Sequence, residues 1–566
     1  MNQRLAIRPV RPLNQIPHLR LDTKQLQYRK MSSDFRQRSV VSSFICTSPQ
    51  TPGGLKFALF KRSQDVSTYR GKWAACSGSI DPKDSSHLSA AVREISEETK
   101  LLTKDLTLLR RGKPFTLTDS SLRTEWTIYP FLWQLKDNSN ESRISLDFEH
   151  TEYRFIRPEE LSSYDHVPQL EVGMTRVLVS PETEAGIKVL RGDKESGARA
   201  LALKAVQILL DTVRGSEMQR LQFSTSVQFW REVRIRAWHL AKNGRPSMSA
   251  AVEAKLFGAL DIVSRELQAL GADGLEEIPL AKLKGMVDSV LEENITGGNQ
   301  NHGLETIANA FKEYVERTAK GNSQNDQNPG TLLKSTPIKI ITLSSSGTTH
   351  ACLTTLVSAF SSSQTPPLKL IIAFLESRPT FEGASAATSL LNTLSTTSTP
   401  NHHVDIEIIS DASIATAAID ADFILLGGDK VLPNGNVSNK IGSCALAVTA
   451  KALNAGCKVV AVFETGKITA GVEQEEGEEN DEAEITRSWP DEVVARLKKI
   501  RKGGVSNRDG EERVKVNVKV RNNYFEWVPA RFIDMYITER GVLSREKIRR
   551  LGLEAAKLEE RVFGDL

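Results

Sequence analysis

From Ile338 onward the chain repeats one unit: a short β-branched run ends in a polar turn, and an Ala-rich stretch follows. The runs are Ile338 to Leu343, Leu368 to Phe374, Val404 to Ile409, Phe423 to Leu426 and Val459 to Phe463. Repeated strand–helix alternation predicts a parallel sheet with helices on both faces, a doubly wound, Rossmann-like α/β domain over residues 335–550. Such sheets bind ligands beyond the carboxyl ends of their strands, so the turns that close these runs are where chemistry is expected.

Length requires more than this one domain, because 566 residues exceed what a single core supports. Residues 196–320 have helical spacing, with Ala200, Leu203, Val206 and Leu210 in one stripe, and read as a helical subdomain. The polar, aperiodic stretch 181–195 reads as a linker, and Gly321 to Gly330 as a flexible connector. Residues 40–180 form a separate α/β unit, with strands at Ser43 to Cys46, Leu55 to Lys61 and Trp126 to Leu135, a turn at Pro52-Gly53-Gly54 and a charged helix over 86–99. The segment 473–484 carries eight acids in twelve residues and reads as a solvated insertion loop.

Residues 1–39 read as a disordered basic tail. Arg4, Arg8, Arg11, Arg20, Lys24, Arg29 and Lys30 face the single acid Asp22 there, a bias that a mitochondrial targeting segment shares. Prolines at 9, 12 and 17 spoil an amphipathic helix, and Met31 offers an alternative start, so a cytoplasmic location is favoured over a mitochondrial one. The charge balance, 74 basic against 70 acidic residues, gives no case for nucleic-acid binding. The five scattered cysteines form no CxxC pair and suit a reducing compartment. No apolar stretch approaches the roughly 20 residues that span a bilayer.

In the helix Leu88 to Thr99, Leu88, Ala91, Val92 and Ile95 make a buried stripe. Glu94, Glu97 and Glu98 fall within about 100° on one flank of it. Two adjacent glutamates alone are commonly a solvated face. Three close carboxylates repel one another, however, and a hard cation such as Mg2+ would balance them. A cation of that kind neutralises a diphosphate, while one carboxylate orients or deprotonates water.

The surrounding residues sharpen this reading. Gly78, then Arg93-Glu94-Ile95-x-Glu97-Glu98-x-x-Leu101, with Gly71-Lys72-Trp73 leading in, resembles the Nudix box of pyrophosphate hydrolases. The resemblance implies an α/β/α sandwich and a Mg2+ (or Mn2+) site. It makes Glu97 and Glu98 metal ligands, Glu94 a ligand or catalytic base, Arg93 the group that orients the carboxylates, and Gly78 part of the substrate-binding loop. Departures are one extra residue between Gly78 and Arg93, Asp84 or Ser85 in place of the family's early glutamate, and Lys100 in place of its late glycine.

In the second half, Ser344 and Ser345 open a turn of small donors at a helix start, suited to an anion. Arg378 ends another strand, where its guanidinium would hold a phosphate. Gly428-Asp429 ends a third, and Asn439-Lys440-Ile441-Gly442 follows. In order, Glu376-Ser-Arg378-Pro-x-x-Glu382-Gly383, Gly428-Asp429, Asn439-Lys440 and Tyr524-Phe-Glu-x-x-Pro529 resemble the initiation factor 2B alpha/beta/delta family. That family includes methylthioribose-1-phosphate and ribose-1,5-bisphosphate isomerases. The resemblance implies Asp429 as the catalytic acid, a sugar phosphate held by Ser344, Ser345, Arg378, Gly383, Asn439 and Lys440, and a homodimer or higher oligomer. Serine stands at Ser344 where the isomerases carry cysteine, and Cys352 reads as core.

Three functions follow as expectations. The first is a Mg-dependent hydrolase of a nucleoside- or sugar-diphosphate derivative, fused to a module that binds a phosphorylated sugar or nucleotide. The second is a regulatory subunit that associates with initiation factor subunits. The third is an aldose–ketose isomerase.

Overall fold

The computed structural model describes residues 35–48, 54–137, 143–270, 275–297, 302–323, 337–362, 369–395, 404–471, 480–503, 505–506, 513–514 and 516–566. Residues 1–34, most of the 321–330 connector, the tip of the 52–54 turn and most of the 473–484 acidic run lie outside them.

The N-terminal unit comprises β1 (Arg36–Cys46), β2 (Phe57–Arg62), β3 (Trp73–Ala74), β4 (Cys76–Ser79), α1 (His87–Thr99), β5 (Leu106–Arg111), β6 (Phe115–Asp119), β7 (Thr124–Leu135), β8 (His150–Ile156) and α2 (Leu170–Thr175). Its sheet runs β3-β2-β1-β7-β5, with β4 on β1, β6 on β7 and β8 on β2. Strands β1 and β7 are parallel and the other pairs antiparallel. Strand alternation divides the apolar residues between two faces. Ile45, Ala58 and Phe60 pack under α1, while Phe44, Phe57 and Leu59 join the opposite core with Leu170 and Met174 of α2.

Strand β1 begins at Arg36, inside the stretch expected as tail. Its first residues pair with Thr124 to Thr127 of β7, and ladder hydrogen bonds use backbone groups that the basic side chains of Arg36 and Arg38 leave free.

Residues expected as a linker form a helix instead. In α3 (Pro181–Gly192), Ser180 caps the start by accepting from the Thr183 N–H, and Thr183, Gly186, Ile187 and Leu190 are buried. Two of those four residues are too small or polar to register as apolar periodicity. Helices α4 (Ala198–Arg214), α5 (Ser216–Arg220), α6 (Ser226–Asn243), α7 (Ser249–Ala269), α8 (Leu280–Thr296) and α9 (His302–Ser323) follow. One core unites α3, α4, α6, α7 and α8, with Leu201, Ala205 and Leu209 of α4 at its centre. The helical unit also closes on the first domain: Arg110 of β5 pairs with Glu184 at 2.7 Å, and the Arg191 guanidinium donates to the Leu109 carbonyl at 2.9 Å.

The last unit contains β9 (Ile338–Leu343), α10 (Gly347–Ser362), β10 (Leu370–Leu375), α11 (Glu382–Ser395), β11 (Val404–Ile409), α12 (Ile414–Ala418), β12 (Phe423–Leu426), β13 (Lys430–Val431), β14 (Val437–Lys440), α13 (Ser443–Leu453) and β15 (Lys458–Val462). It ends with α14 (Glu482–Thr486), α15 (Asp491–Gly503), the hairpin β16 (Val505–Ser506) and β17 (Arg513–Val514), then β18 (Phe525–Val528), β19 (Met535–Thr538), β20 (Gly541–Leu543) and α16 (Arg545–Phe563). The main sheet has the order β11-β10-β9-β12-β15-β19-β20 and is parallel except at β20. The order in which strands are added therefore reverses between the parallel neighbours β9 and β12, which puts a crevice at the carboxyl ends of those two strands. Among the described residues no helix is long and apolar enough to cross a membrane.

Candidate functional site

Two pockets collect most of the residues singled out from sequence. The first lies on the N-terminal sheet. Helix α1 starts with a capping box between Ser86 and Ser89 and ends at Lys100, which adopts the left-handed conformation at φ 59°. That is the position where the Nudix pattern has glycine, and the backbone explains the preference, since only glycine enters this region without steric cost.

Between those ends the carboxylates take different environments. Glu97 is exposed. Glu94 is largely buried, and Gly78 runs so close to it that a Cβ there would lie 2.0 Å from the Glu94 carboxyl carbon. Glu98 is 2 % exposed; its Oε1 accepts from the Ser77 N–H at 3.2 Å, and its Oε2 has no hydrogen-bond partner among the described residues. Burial pushes both Glu94 and Glu98 above the usual carboxylate range, Glu98 strongly.

Arg93 organises the cluster. Its guanidinium grips Asp84 through Nε and Nη2 at 3.1 and 2.9 Å, donates to the Ser79 carbonyl, and reaches Glu94 at 2.7 Å and Glu97 at 3.1 Å. Of the two residues that could stand for the family's early glutamate, Asp84 is the one that pairs with Arg93, while the Ser85 hydroxyl bonds to Ser89.

Sequence reasoning missed Glu149, Asp147 and His150. Glu149 lines the same cleft of about 450 Å³ as Gly78, Glu94 and Glu97. Burial, then the Asp147 charge, raise its carboxyl too. His150 is buried beside Glu98 and Asp147, at 3.8 and 3.5 Å, and desolvation lowers it to about 4. The acid–acid–His run at 147–150 was visible in the sequence, but only β8 pairing with β2 brings it opposite α1.

The oxygen-only donor set and the orphaned Glu98 Oε2 suit a hard divalent ion. In this arrangement Arg93 holds Glu94 and Glu97, and among the described residues no three donors are drawn together as a closed ligand shell.

The second pocket, about 730 Å³, opens at the β9/β12 reversal between α4 and the parallel sheet. Ser344, Ser345, Asp429, Asn439 and Lys440 all line it. Ser344 ends β9 with φ 65°, held by its N–H to Ser377 Oγ at 2.7 Å and its hydroxyl to Glu382 at 2.6 Å. The other Glu382 oxygen pairs with Lys440 at 2.8 Å. Lys467 donates to the Gly428 carbonyl at 2.6 Å and stands 3.8 Å from Asp429, while Arg199 forms a two-point pair with Glu464 at 2.8 and 2.6 Å. Lys467 and Glu464 were not anticipated, although they sit in the turn after the recognised strand Val459 to Phe463, where the carboxyl-end rule points.

Two expected ligands fall elsewhere. Arg378 does not line this pocket: its N–H is tied to Asp411 at 2.7 Å, and its half-exposed guanidinium lies over the Phe381 ring at 5.3 Å, in a separate cavity of about 390 Å³ with Pro379 and Trp489. Gly383 is a packing glycine, since a Cβ there would lie 1.8 Å from the Leu375 carbonyl oxygen at the end of β10. Cys352 is fully buried in the α10 core, as expected.

The fold and pockets thus define a two-part α/β protein, with a carboxylate cleft on a mixed sheet and a cationic crevice on a doubly wound one. The chain belongs to the Initiation factor 2 subunit family, whose model matches residues 194–545, and it carries a NUDIX domain at residues 37–177. Methylthioribose-1-phosphate isomerase of Bacillus cereus is 27% identical over 175 residues, 30% of this chain and 40% of that protein. The enzyme of the same name from Fusarium vanettenii is 32% identical over 130 residues, 22% and 31% of the two chains. Ribose 1,5-bisphosphate isomerase of Haloferax volcanii is 29% identical over 148 residues, 26% and 39%. The chain therefore spans less than half the length of these curated relatives. Among solved structures, the Pyrococcus horikoshii translation initiation factor eIF-2B is 16% identical, covering 64% of this chain and 98% of its own, with a TM-score of 0.39. The eIF2B beta of Chaetomium thermophilum is 14% identical, covering 66% and 91%, with a TM-score of 0.40.

Proposed function

We propose that the N-terminal domain is a Mg2+-dependent hydrolase of a nucleoside- or sugar-diphosphate derivative, and that the C-terminal half binds a phosphorylated sugar. The observation that carries the first part is the buried Glu98 oxygen, without a hydrogen-bond partner among the described residues, beside Glu94 and Glu149. The carboxylates Asp84, Glu94, Glu97, Glu98 and Glu149 outnumber the guanidiniums beside them, Arg93 and Arg62, and a divalent ion with its diphosphate ligand supplies the balance. Glu94, Glu97 and Glu98 would hold such an ion, which when bound withdraws charge from the diphosphate. Burial raises the Glu149 and Glu94 carboxyls, which makes each a stronger base toward water than an exposed carboxylate. Arg93 keeps the carboxylates oriented. In the second pocket, Lys440 and Lys467 supply the positive charge and Ser344 and Ser345 the hydroxyl donors for a phosphate.

The test is release of phosphate or nucleotide from a panel of diphosphate metabolites with Mg2+, comparing wild type with the Glu97→Gln/Glu98→Gln variant. Release from wild type alone supports the hydrolase. No release from either protein removes it.

The missing thiol favours binding without isomerisation in the second half. Ser344 donates its hydroxyl to Glu382, a carboxylate already paired with Lys440 and so a weak base toward an alcohol, and Cys352 is out of reach in the core. Ribose 1,5-bisphosphate incubated with the protein is expected to yield no ketose; a ketose product would restore the isomerase reading. On the regulatory reading, the same half would bind initiation factor subunits, which co-purification tests.

A further inference from the structure

The N-terminal cleft extends well beyond its carboxylates, and its far end is built differently. On β7, Trp126 is flanked by Leu117 of β6 and Arg38 of β1, and Ile128 by Phe115 and Val40 of the same two strands. Val40 in turn pairs with Ser79 of β4. Directly opposed residues project from one face of a sheet, so these side chains form one platform, and all of them line the cleft. None of them is fully buried. The platform crosses four strands, roughly 14 Å at the usual spacing. It ends at Ser79, whose carbonyl accepts from Arg93 beside the carboxylates.

Charge divides the cleft, which five charged side chains line. Glu94, Glu97 and Glu149 stand at the carboxylate end with Arg62, whose Nε donates to the Thr68 carbonyl at 3.1 Å and whose charge acts on Glu149. The fifth, Arg38, belongs to the platform. Its guanidinium lies over the Trp126 ring at 5.5 Å and has no hydrogen bond or ion pair among the described residues. A guanidinium presents its N–H donors as a rigid fork, so it matches two adjacent acceptors better than an acceptor beside a donor. Two loops complete this cleft, and each holds a non-glycine residue in the left-handed region, Tyr69 at φ 51° and Gln169 at φ 62°. Such backbone strain persists where surrounding structure imposes it, commonly at ligand clamps. Tyr69 is pinned by donating its hydroxyl to Asp119 at 2.6 Å.

We infer that the platform binds a 6-oxopurine, which makes the substrate a guanine nucleoside diphosphate derivative; this rests on the N-terminal cleft being the diphosphate site. The flat base lies on Trp126 and Ile128, and its N7 and O6 acceptors meet the Arg38 fork. Adenine offers N7 beside an N6 donor, which sets one N–H of the fork against another donor. A sugar in the same place would press hydroxyls onto an apolar floor and lose their hydrogen bonds to water.

The experiment is calorimetric titration of the full chain, in Mg2+, with the 5′-diphosphates of guanosine, inosine and adenosine, followed by hydrolysis assays on GDP-glucose and ADP-glucose. Wild type is expected to bind the guanosine and inosine compounds, which share the N7/O6 edge, at least tenfold more tightly than the adenosine one, the scale of one bidentate base contact. The same order is expected in kcat/KM for the two sugar nucleotides. Arg38→Met should bring all three affinities to the adenosine level, and Arg38→Lys, a point charge without the fork, should not restore the preference. The wild-type comparison stands even where a variant fails to fold. Equal affinities for guanosine and adenosine diphosphate in wild type, or a guanine preference that survives Arg38→Met, would overturn the inference. Cleavage of both sugar nucleotides at equal kcat/KM would overturn it while leaving the hydrolase standing. Arg38-dependent guanine preference in binding, with no diphosphate cleaved, would support it and remove the hydrolase.

Discussion

Asn243 stands in for a missing β-strand at the edge of the N-terminal sheet. Its Oδ1 accepts from the Arg111 N–H at 2.7 Å, and its Nδ2 donates to the Arg111 carbonyl at 3.0 Å. Strand β5 ends the sheet, so its outward backbone groups would otherwise be open to pairing with another chain. A side chain at the end of α6, 132 residues away, closes that edge and fixes the two halves against each other.

Replacing Asn243 with Ala should cost about 2–4 kcal/mol, because three hydrogen bonds vanish, two to the Arg111 backbone and one to His239 Nδ1 at 3.1 Å, and a part-buried N–H and C=O lose their partners. Urea unfolding of the full chain measures this, and faster amide exchange at Arg111 localises it. A change below about 0.5 kcal/mol would mean that water replaces the amide without loss.

At Lys100 the expected change is a gain. Relief of the left-handed strain in Lys100→Gly, about 1–2 kcal/mol, exceeds the added backbone entropy of the unfolded chain, about 0.4–1 kcal/mol. Thermal unfolding should show a net stabilisation of up to about 1 kcal/mol, and a lowered melting temperature would contradict the account.

His239 sets an acid limit. It is fully buried, and desolvation lowers its imidazole to about 3. Its unfolded value is the ordinary one near 6.5. Between these two values the unfolded chain binds the extra proton, so stability rises with pH across that window and is lost on acidification from about 6.5 downward. Above that value His239 contributes no slope. Wild type should therefore lose up to ~1.4 kcal/mol per pH unit more than His239→Gln between pH 6 and 4. Equal slopes in the two proteins would refute the assignment.

The second pocket separates two cations that the sequence treats alike. Lys440→Met should weaken ribose 5-phosphate binding at least tenfold, the scale of one lost charge-assisted contact. Arg378→Met should leave it unchanged, because that guanidinium lies over Phe381 outside the pocket. Calorimetric titration of both variants decides it, and a loss in Arg378→Met would put the phosphate in the neighbouring cavity that Arg378 lines.

What the sequence determined by itself was local and periodic. The β-branched runs from Ile338 to Phe463 specified strands because strand propensity and burial act over a few residues. Glu94, Glu97 and Glu98 were legible because 3.6-residue periodicity puts them on one flank of one helix, and Arg93 because it stands in the run that resembles the Nudix box. Ser344, Asp429 and Lys440 were legible as strand-end turns in a fold that binds at strand ends. The tertiary structure decided what depends on contact between distant segments. It brought Glu149 and His150 to α1 through the β2–β8 pairing, and Lys467 into the crevice through the order of the parallel strands. It made a helix of 181–192, whose buried small residues carry no hydrophobic signal until α4 and α6 are there to pack on them. It turned Arg378 outward, because the Arg378 backbone N–H is held by Asp411. Spacing along the chain fixes which side chains share a face; only the packed chain fixes which faces meet.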